Sequence, residues 1–166
     1  MVKFQPRQIL GKWRQGFALD LHTLSSIPLG YNEFGHMQFD TTRSEVGELL
    51  FKLKNRVDIS TVPEIVAAAI AFLNAWKPAI DMLVPVPPSS ARAVQPVMLL
   101  AQGISAQFGV PLVQGVTKTR DTPQLKNIFD LDERLQALEG VHAVDSSVTQ
   151  GGGFCYSMTS FGRGRR

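Results

Sequence analysis

The sequence predicts an α/β fold: a parallel sheet flanked by helices, truncated at the C-terminus and preceded by an N-terminal β-hairpin extension. Three observations predict it. Ile80 to Val86 (IDMLVPV) is a short apolar run bounded by prolines, as a buried strand requires. Val94 to Phe108 then returns to helical spacing through Val97, Ala101, Ile104 and Phe108, and Gly109 supplies a stop before the β-branched and aliphatic run Val110 to Val116. Strand, helix and strand in that order make a βαβ unit with a right-handed crossover. Upstream, Gly16 to Phe39 mixes aromatic and aliphatic residues with turn signals at Ser25 to Pro28, Gly30 to Asn32 and Phe34 to His36. That pattern reads as short strands with a hairpin near Glu33 to His36.

Between these regions the spacing predicts two helices. Thr42-Arg43-Ser44-Glu45 has the form of a capping box, and Val46, Leu49, Leu50 and Leu53 recur on one helix face with Lys52 and Lys54 outside it. Thr61-Val62-Pro63-Glu64 repeats the box with proline in the first turn, where a missing N–H costs nothing. Ile65, Ala69, Phe72 and Trp76 then line a face that ends at Lys77-Pro78. Downstream, Lys118 to Phe129 (KTRDTPQLKNIF) reads as a long polar loop, Leu131 to Leu138 as a short helix and Gly140 to Val144 as the approach to another strand. The organisation is therefore a β-rich extension over 1–41, an α/β core over 42–150 and a Gly/Arg-rich tail over 151–166.

Composition bounds the function. A chain of 166 residues with 44% hydrophobic and 19% charged residues suits one globular domain. The net charge of +3 is modest, and three arginines fall within GRGRR at the end, so charge alone gives no case for nucleic-acid binding. One cysteine, Cys155, rules out an internal disulfide framework and a cysteine-based zinc ribbon. The expected setting is cytoplasmic, with no membrane partner. The N-terminus lacks the apolar core of a secretory signal, and no apolar run reads as the roughly 20 residues that a bilayer span needs.

In open α/β sheets ligands bind at the carboxyl ends of the strands, which directs attention to two segments. Pro87-Pro88-Ser89-Ser90-Ala91-Arg92 offers hydroxyls, a cation and the amides of a helix start, a set that can receive a phosphate or pyrophosphate. It also suits an ordinary N-capping serine with Arg92 in solvent. Lys118, Arg120, Lys126 and Arg134 gather cations in or beside the second loop, while Asp121, Asp130, Asp132 and Glu133 partly cancel them. The balance fits a compact anionic metabolite better than a nucleic acid, and a solvated surface loop is the plain alternative. His22, His36 and His142 have no metal-ligand spacing and read as structural or surface residues. No GxSxG, Walker loop or nucleophile–base pair is present, and neither a catalytic residue nor a protein metal ligand is assigned.

Taken in order, LVPVPPSSAR, VPLVQGVTKTR, Arg120-Asp121-Thr122-Pro123-Gln124-Leu125, Glu133-Arg134 and Gly140, with the upstream GFALDLHT and FDTTRSEVGELLFKLKN, resemble the ComF-like type I phosphoribosyltransferases. The resemblance covers most of residues 13 to 145. It implies the phosphoribosyltransferase type I-like parallel sheet and a site for phosphoribosyl pyrophosphate (PRPP) with Mg²⁺, transferring the pentosyl group to an unknown acceptor. Ser89, Ser90 and Arg92 correspond to the pyrophosphate loop, Lys118 and Arg120 to added contacts, and Gln124 and Arg134 to the mobile loop region. Relatives often carry an arginine-rich segment where this chain has Ala93-Val94-Gln95-Pro96-Val97. The larger departure is the missing family signature, an apolar strand followed by two acidic residues and a Gly-Ala-Thr loop, which implies an inactive product. Because the family is associated with DNA uptake, a non-catalytic nucleic-acid-binding accessory protein is the alternative, and FGRGRR is slightly like an RGG segment.

The genetic code allows the tail to be tested. Displaced by one base, one frame is closed because Met158-Thr159 forces a stop. In the other, Phe154-Cys155 and Cys155-Tyr156 can give only Leu and Met158-Thr159 only Asp, while the remaining junctions permit V-L-L-F-D-D-L-F-R-S-G-A-T. That string is the missing signature, so a frameshift near Gln150 to Gly153 is expected. A parallel sheet cut short leaves an unpaired edge, from which homo-oligomer formation or other self-association is expected.

Overall fold

The computed structural model describes residues 2–11, 13–88, 92–122, 128, 130–149 and 155–158. The chain divides into two compact units, Met1–Pro78 and Ala79–Thr159. It is a mixed α/β protein whose strands form small two-stranded sheets.

In the N-terminal unit, β1 (Arg7–Gln8) and β2 (Phe17–Ala18) pair antiparallel. The turn between them is closed by the Ile9 N–H donating to the Gly16 carbonyl at 2.7 Å and the Trp13 indole N–H donating to the Ile9 carbonyl at 2.8 Å. β3 (Thr23–Tyr31) and β4 (Met37–Arg43) form the antiparallel hairpin expected from the turn signals. Asn32 builds its turn: the side-chain oxygen accepts from the Phe34 and His36 N–H groups at 3.0 and 2.8 Å, and Gly35 takes a φ of 73° that a β-carbon would oppose. Two register shifts, at Leu24 and Leu29, bulge β3 while β4 runs without interruption.

Helix α1 (Glu45–Asn55) forms, but starts two residues later than a box capped at Thr42 places it. Ser44, not Thr42, is the N-cap, and its hydroxyl accepts from the Gly47 N–H at 3.0 Å and donates to the Leu21 carbonyl at 2.6 Å. Thr42 cannot serve because it is a β4 residue paired with Ser25. A 3₁₀ turn, Ile59–Thr61, leads into α2 (Val62–Trp76). Here too the capping box is not made, because the Thr61 hydroxyl donates backwards to the Asp58 carbonyl at 2.8 Å. Val46 and Leu53 of α1 and Ile65, Val66, Ala68 and Leu73 of α2 are buried and supply this unit's core. Phe72 and Trp76 extend the α2 face onto Phe17, with ring centroids 5.4 and 4.8 Å from it. By length and composition, Ile59–Trp76 is also long and apolar enough to cross a membrane, with a mean hydropathy of 1.5. α2 ends at Lys77, whose left-handed φ of 51° turns the chain into Pro78.

In the C-terminal unit, β5 (Met82–Pro85) has Leu83, Val84 and Pro85 buried, as an apolar run bounded by prolines should. Helix α3 (Pro96–Phe108) follows and stops at Gly109, which has a φ of 77°. The chain returns alongside β5, where the Leu83 N–H donates to the Pro111 carbonyl and the Val113 N–H to the Leu83 carbonyl, both at 2.9 Å. This is a parallel bridge between Leu83 and Leu112, shorter than the strand expected over Val110 to Val116. β6 (Val116–Lys118) pairs instead with β7 (His142–Val144), antiparallel, after helix α4 (Leu131–Leu138). A short helix, α5 (Ser146–Thr149), is begun by Asp145, whose carboxylate accepts from the Ser147 hydroxyl and N–H and is held below the usual carboxyl range by them. β8 (Cys155–Met158) lies parallel to β5 in the register Met82 with Cys155. Leu83, Val84, Leu100, Ala101, Ile104 and Val141 form the core of this unit.

Candidate functional site

The residues singled out from sequence fall at two places in the C-terminal unit. The first is the segment leaving β5. β5 carries a parallel neighbour on each side, the Leu112 segment and β8, and its carboxyl end runs through Val86, Pro87 and Pro88 toward α3. Ser89 and Ser90 lie outside the described residues. Arg92 is described and exposed, and its carbonyl accepts from the Gln95 side-chain amide at 3.4 Å. Gln95 is the residue before the first turn of α3, and Pro96 sits in that turn with no N–H to satisfy.

The second place is the loop leaving β6, and it is built from the residues Lys118 to Asp121. Lys118 closes β6 opposite His142, with its ammonium 3.7 Å from the Asp121 carboxylate and its side chain mostly buried. Thr119 carries no charge and nothing in its spacing singles it out, yet it organises the loop. Its N–H donates to the Val141 carbonyl at 2.8 Å, and its hydroxyl lies 2.7 Å from the Gly140 carbonyl and 3.1 Å from that of Val141. Arg120 then places one guanidinium nitrogen 3.3 Å from the Ala137 carbonyl and 3.0 Å from the Glu139 carbonyl.

Those acceptors belong to the end of α4 and the turn after it, where helix carbonyls lack intrahelical partners and the helix dipole favours a cation. Gly140 has a φ of 66°, the left-handed turn that brings the chain from α4 into β7. Arg120 therefore closes this end of the helix while remaining exposed. Arg134, on α4, turns its Nε–H back to the Ile128 carbonyl at 2.5 Å and ties the same loop to the helix from its other end. Asp130 caps α4 by accepting from the Asp132 and Glu133 N–H groups at 2.9 and 3.0 Å.

Lys118, Arg120 and Arg134 are thus brought onto one loop-and-helix assembly. Gln124 and Lys126 lie outside the described residues. Chemically, the assembly presents guanidinium and ammonium groups held by backbone carbonyls and one carboxylate, an arrangement that can orient an anion. Among the described residues no group of three or more His, Cys, Asp or Glu side chains gathers as a metal-ligand set. The described histidines differ in setting: His22 is half-buried beside Thr23, while His36 and His142 are exposed. No protein-family model, no curated protein and no solved structure matches this chain.

Proposed function

We propose that this chain is a ComF-like, phosphoribosyltransferase-type protein that binds PRPP with Mg²⁺ and lacks the loop needed to transfer the pentosyl group. The observation that carries the reading is β5, which pairs in parallel with β8, is bridged in parallel at one residue to Leu112, and leads at its carboxyl end into Pro87-Pro88-Ser89-Ser90-Ala91-Arg92. Ligands of parallel sheets bind at that end of the strands. Ser89, Ser90 and Arg92 are the proposed pyrophosphate contacts. Lys118, Arg120, Gln124 and Arg134 are proposed to add charge-assisted contacts.

Mg²⁺ enters with PRPP as the counter-ion of its pyrophosphate, so the protein's task is to hold the substrate's oxygens rather than the metal. Pentosyl transfer also needs acidic groups on the ribose hydroxyls and a loop around the 5′-phosphate. As written, GGGFCYSMTSFGRGRR supplies neither. The acidic pair and Gly-Ala-Thr loop are proposed to lie in the displaced reading frame that begins near Gln150 to Gly153.

Isothermal titration calorimetry of the full chain with PRPP, with and without Mg²⁺, tests the reading. Binding is expected only with Mg²⁺, without turnover, and Arg92→Ala should weaken it about tenfold, the loss of one charge-assisted contact. Absence of Mg²⁺-dependent binding would overturn the proposal. Salt-sensitive binding of DNA or RNA in its place would favour an accessory nucleic-acid-binding role.

A further inference from the structure

The N-terminal unit carries a feature that the PRPP reading leaves unused: the β3–β4 hairpin is strongly apolar and exposed. In β4, Met37, Phe39 and Thr41 alternate onto one face, and the pairs Tyr31 with Met37 and Pro28 with Phe39 place Tyr31 and Pro28 on that face too. Tyr31 is 74% exposed and Phe39 54%, and on the same hairpin Leu29 is 69% and Ile27 57% exposed. An aromatic side chain such as Tyr31 or Phe39 buries about 150–250 Å² when covered. Ile27, paired with Asp40, lies on the other face, so Tyr31 and Phe39 together offer about 300–500 Å², part of the roughly 800 Å² that each partner contributes to a standard interface, the rest falling to the β4 edge itself. A two-stranded ribbon is only marginally stable by itself in water, which adds a reason for it to gain a further strand.

The two edges of this ribbon are not equivalent. β3 holds Pro28, which has no N–H to offer, and is bulged at Leu24 and Leu29, features that discourage strand addition. β4, with sequence MQFDTTR, has neither proline, glycine nor bulge, and in its two-stranded sheet β3 is its sole strand neighbour among the described residues. An additional strand would therefore be accepted at β4.

β4 is complementary to itself in one antiparallel register. Centring a two-fold axis on Asp40 would oppose two carboxylates. Centring it on Phe39 opposes Phe39 to its copy, Gln38 to Asp40 and Met37 to Thr41, an aromatic pair flanked by an amide–carboxylate pair. Over the hairpin, Glu33 and Asp40 are set against Arg43, which already pairs with Glu48 at 3.4 Å, so there is no uniformly basic face for a polyanion. We infer that a second copy of this chain occupies the β4 edge, making a symmetric four-stranded sheet across two protomers with Phe39 at its centre.

Sedimentation velocity on the full chain over micromolar concentrations tests this. A reversible monomer–dimer equilibrium is expected, with Phe39→Lys raising the dimer dissociation constant by about tenfold or more and Leu29→Lys, on the bulged strand, changing it less than about threefold. A second readout covers loss of folding by the lysine variants. In a Cys155→Ser background, Phe39→Cys should give an interchain disulfide on mild oxidation and Leu29→Cys should not, because only position 39 faces its own copy. A chain that stays monomeric throughout, equal effects of the two lysine substitutions, or failure of the Phe39→Cys chain to cross-link would each overturn the inference.

Discussion

His22 shows how much a single position can depend on its packing. Burial is the main cause that pushes its imidazolium below the usual value of 6.5, the nearby cations Lys54 and Arg43 push the same way, and Glu48 opposes them. The unfolded chain therefore takes up a proton before the folded one as pH falls. The associated stability is fully present above about pH 6.5 and is lost as the pH drops through the lowered folded value. Thermal unfolding followed by circular dichroism should show the midpoint falling from about pH 7 to about pH 5, and His22→Gln should flatten that slope. An unchanged slope would remove His22 as its cause. Sequence spacing read this residue as structural or surface, and its burial was not legible, because it arises from the packing of the segment before β3 against α1. Thr119 was illegible for a related reason: the carbonyls it holds come from a turn some twenty residues away in sequence.

At the scale of elements, helices were the most legible because apolar periodicity is a local signal. Their caps were less so. Thr42 and Ser44 are both competent caps by residue type, and the choice was made by β4, which claims Thr42 for its ladder. Gly47 carries a similar tertiary constraint. An alanine normally stabilises a helix interior by about 1 kcal/mol over glycine, but a β-carbon on Gly47 would run into the His22 backbone carbonyl. Gly47→Ala is therefore expected to destabilise the N-terminal unit, by about 1–3 kcal/mol as overpacking does, measured by urea denaturation. Stabilisation would mean that the strand approach and α1 do not meet as described. The loop after β6 was legible as a cation-rich segment, whereas the use of Arg120 to close α4 was not, since a charged loop residue looks the same whether it holds a ligand or a helix end.

For the whole molecule, the sequence conveyed a mixed α/β character and a β-hairpin start, and the chain passes from one compact unit to the next after the Lys77-Pro78 helix stop. The placement of β8 beside β5 bears on the displaced frame, because the segment that forms β8 is the one in which V-L-L-F-D-D would be read. Sequencing the DNA across the codons for Gln150 to Thr159 is expected to read V-L-L-F-D-D in the displaced frame, and codons that exclude it would end that proposal. The pairing of β5 with β8 also has a kinetic side. The hairpin, α1 and α2 close over short separations, whereas Met82 must wait for Cys155 before its second neighbour is in place. Long closures of this kind slow folding, so the N-terminal unit should mature first. Until β8 arrives, β5 is a half-paired apolar strand, and the newly made chain is most vulnerable to misassociation during that interval.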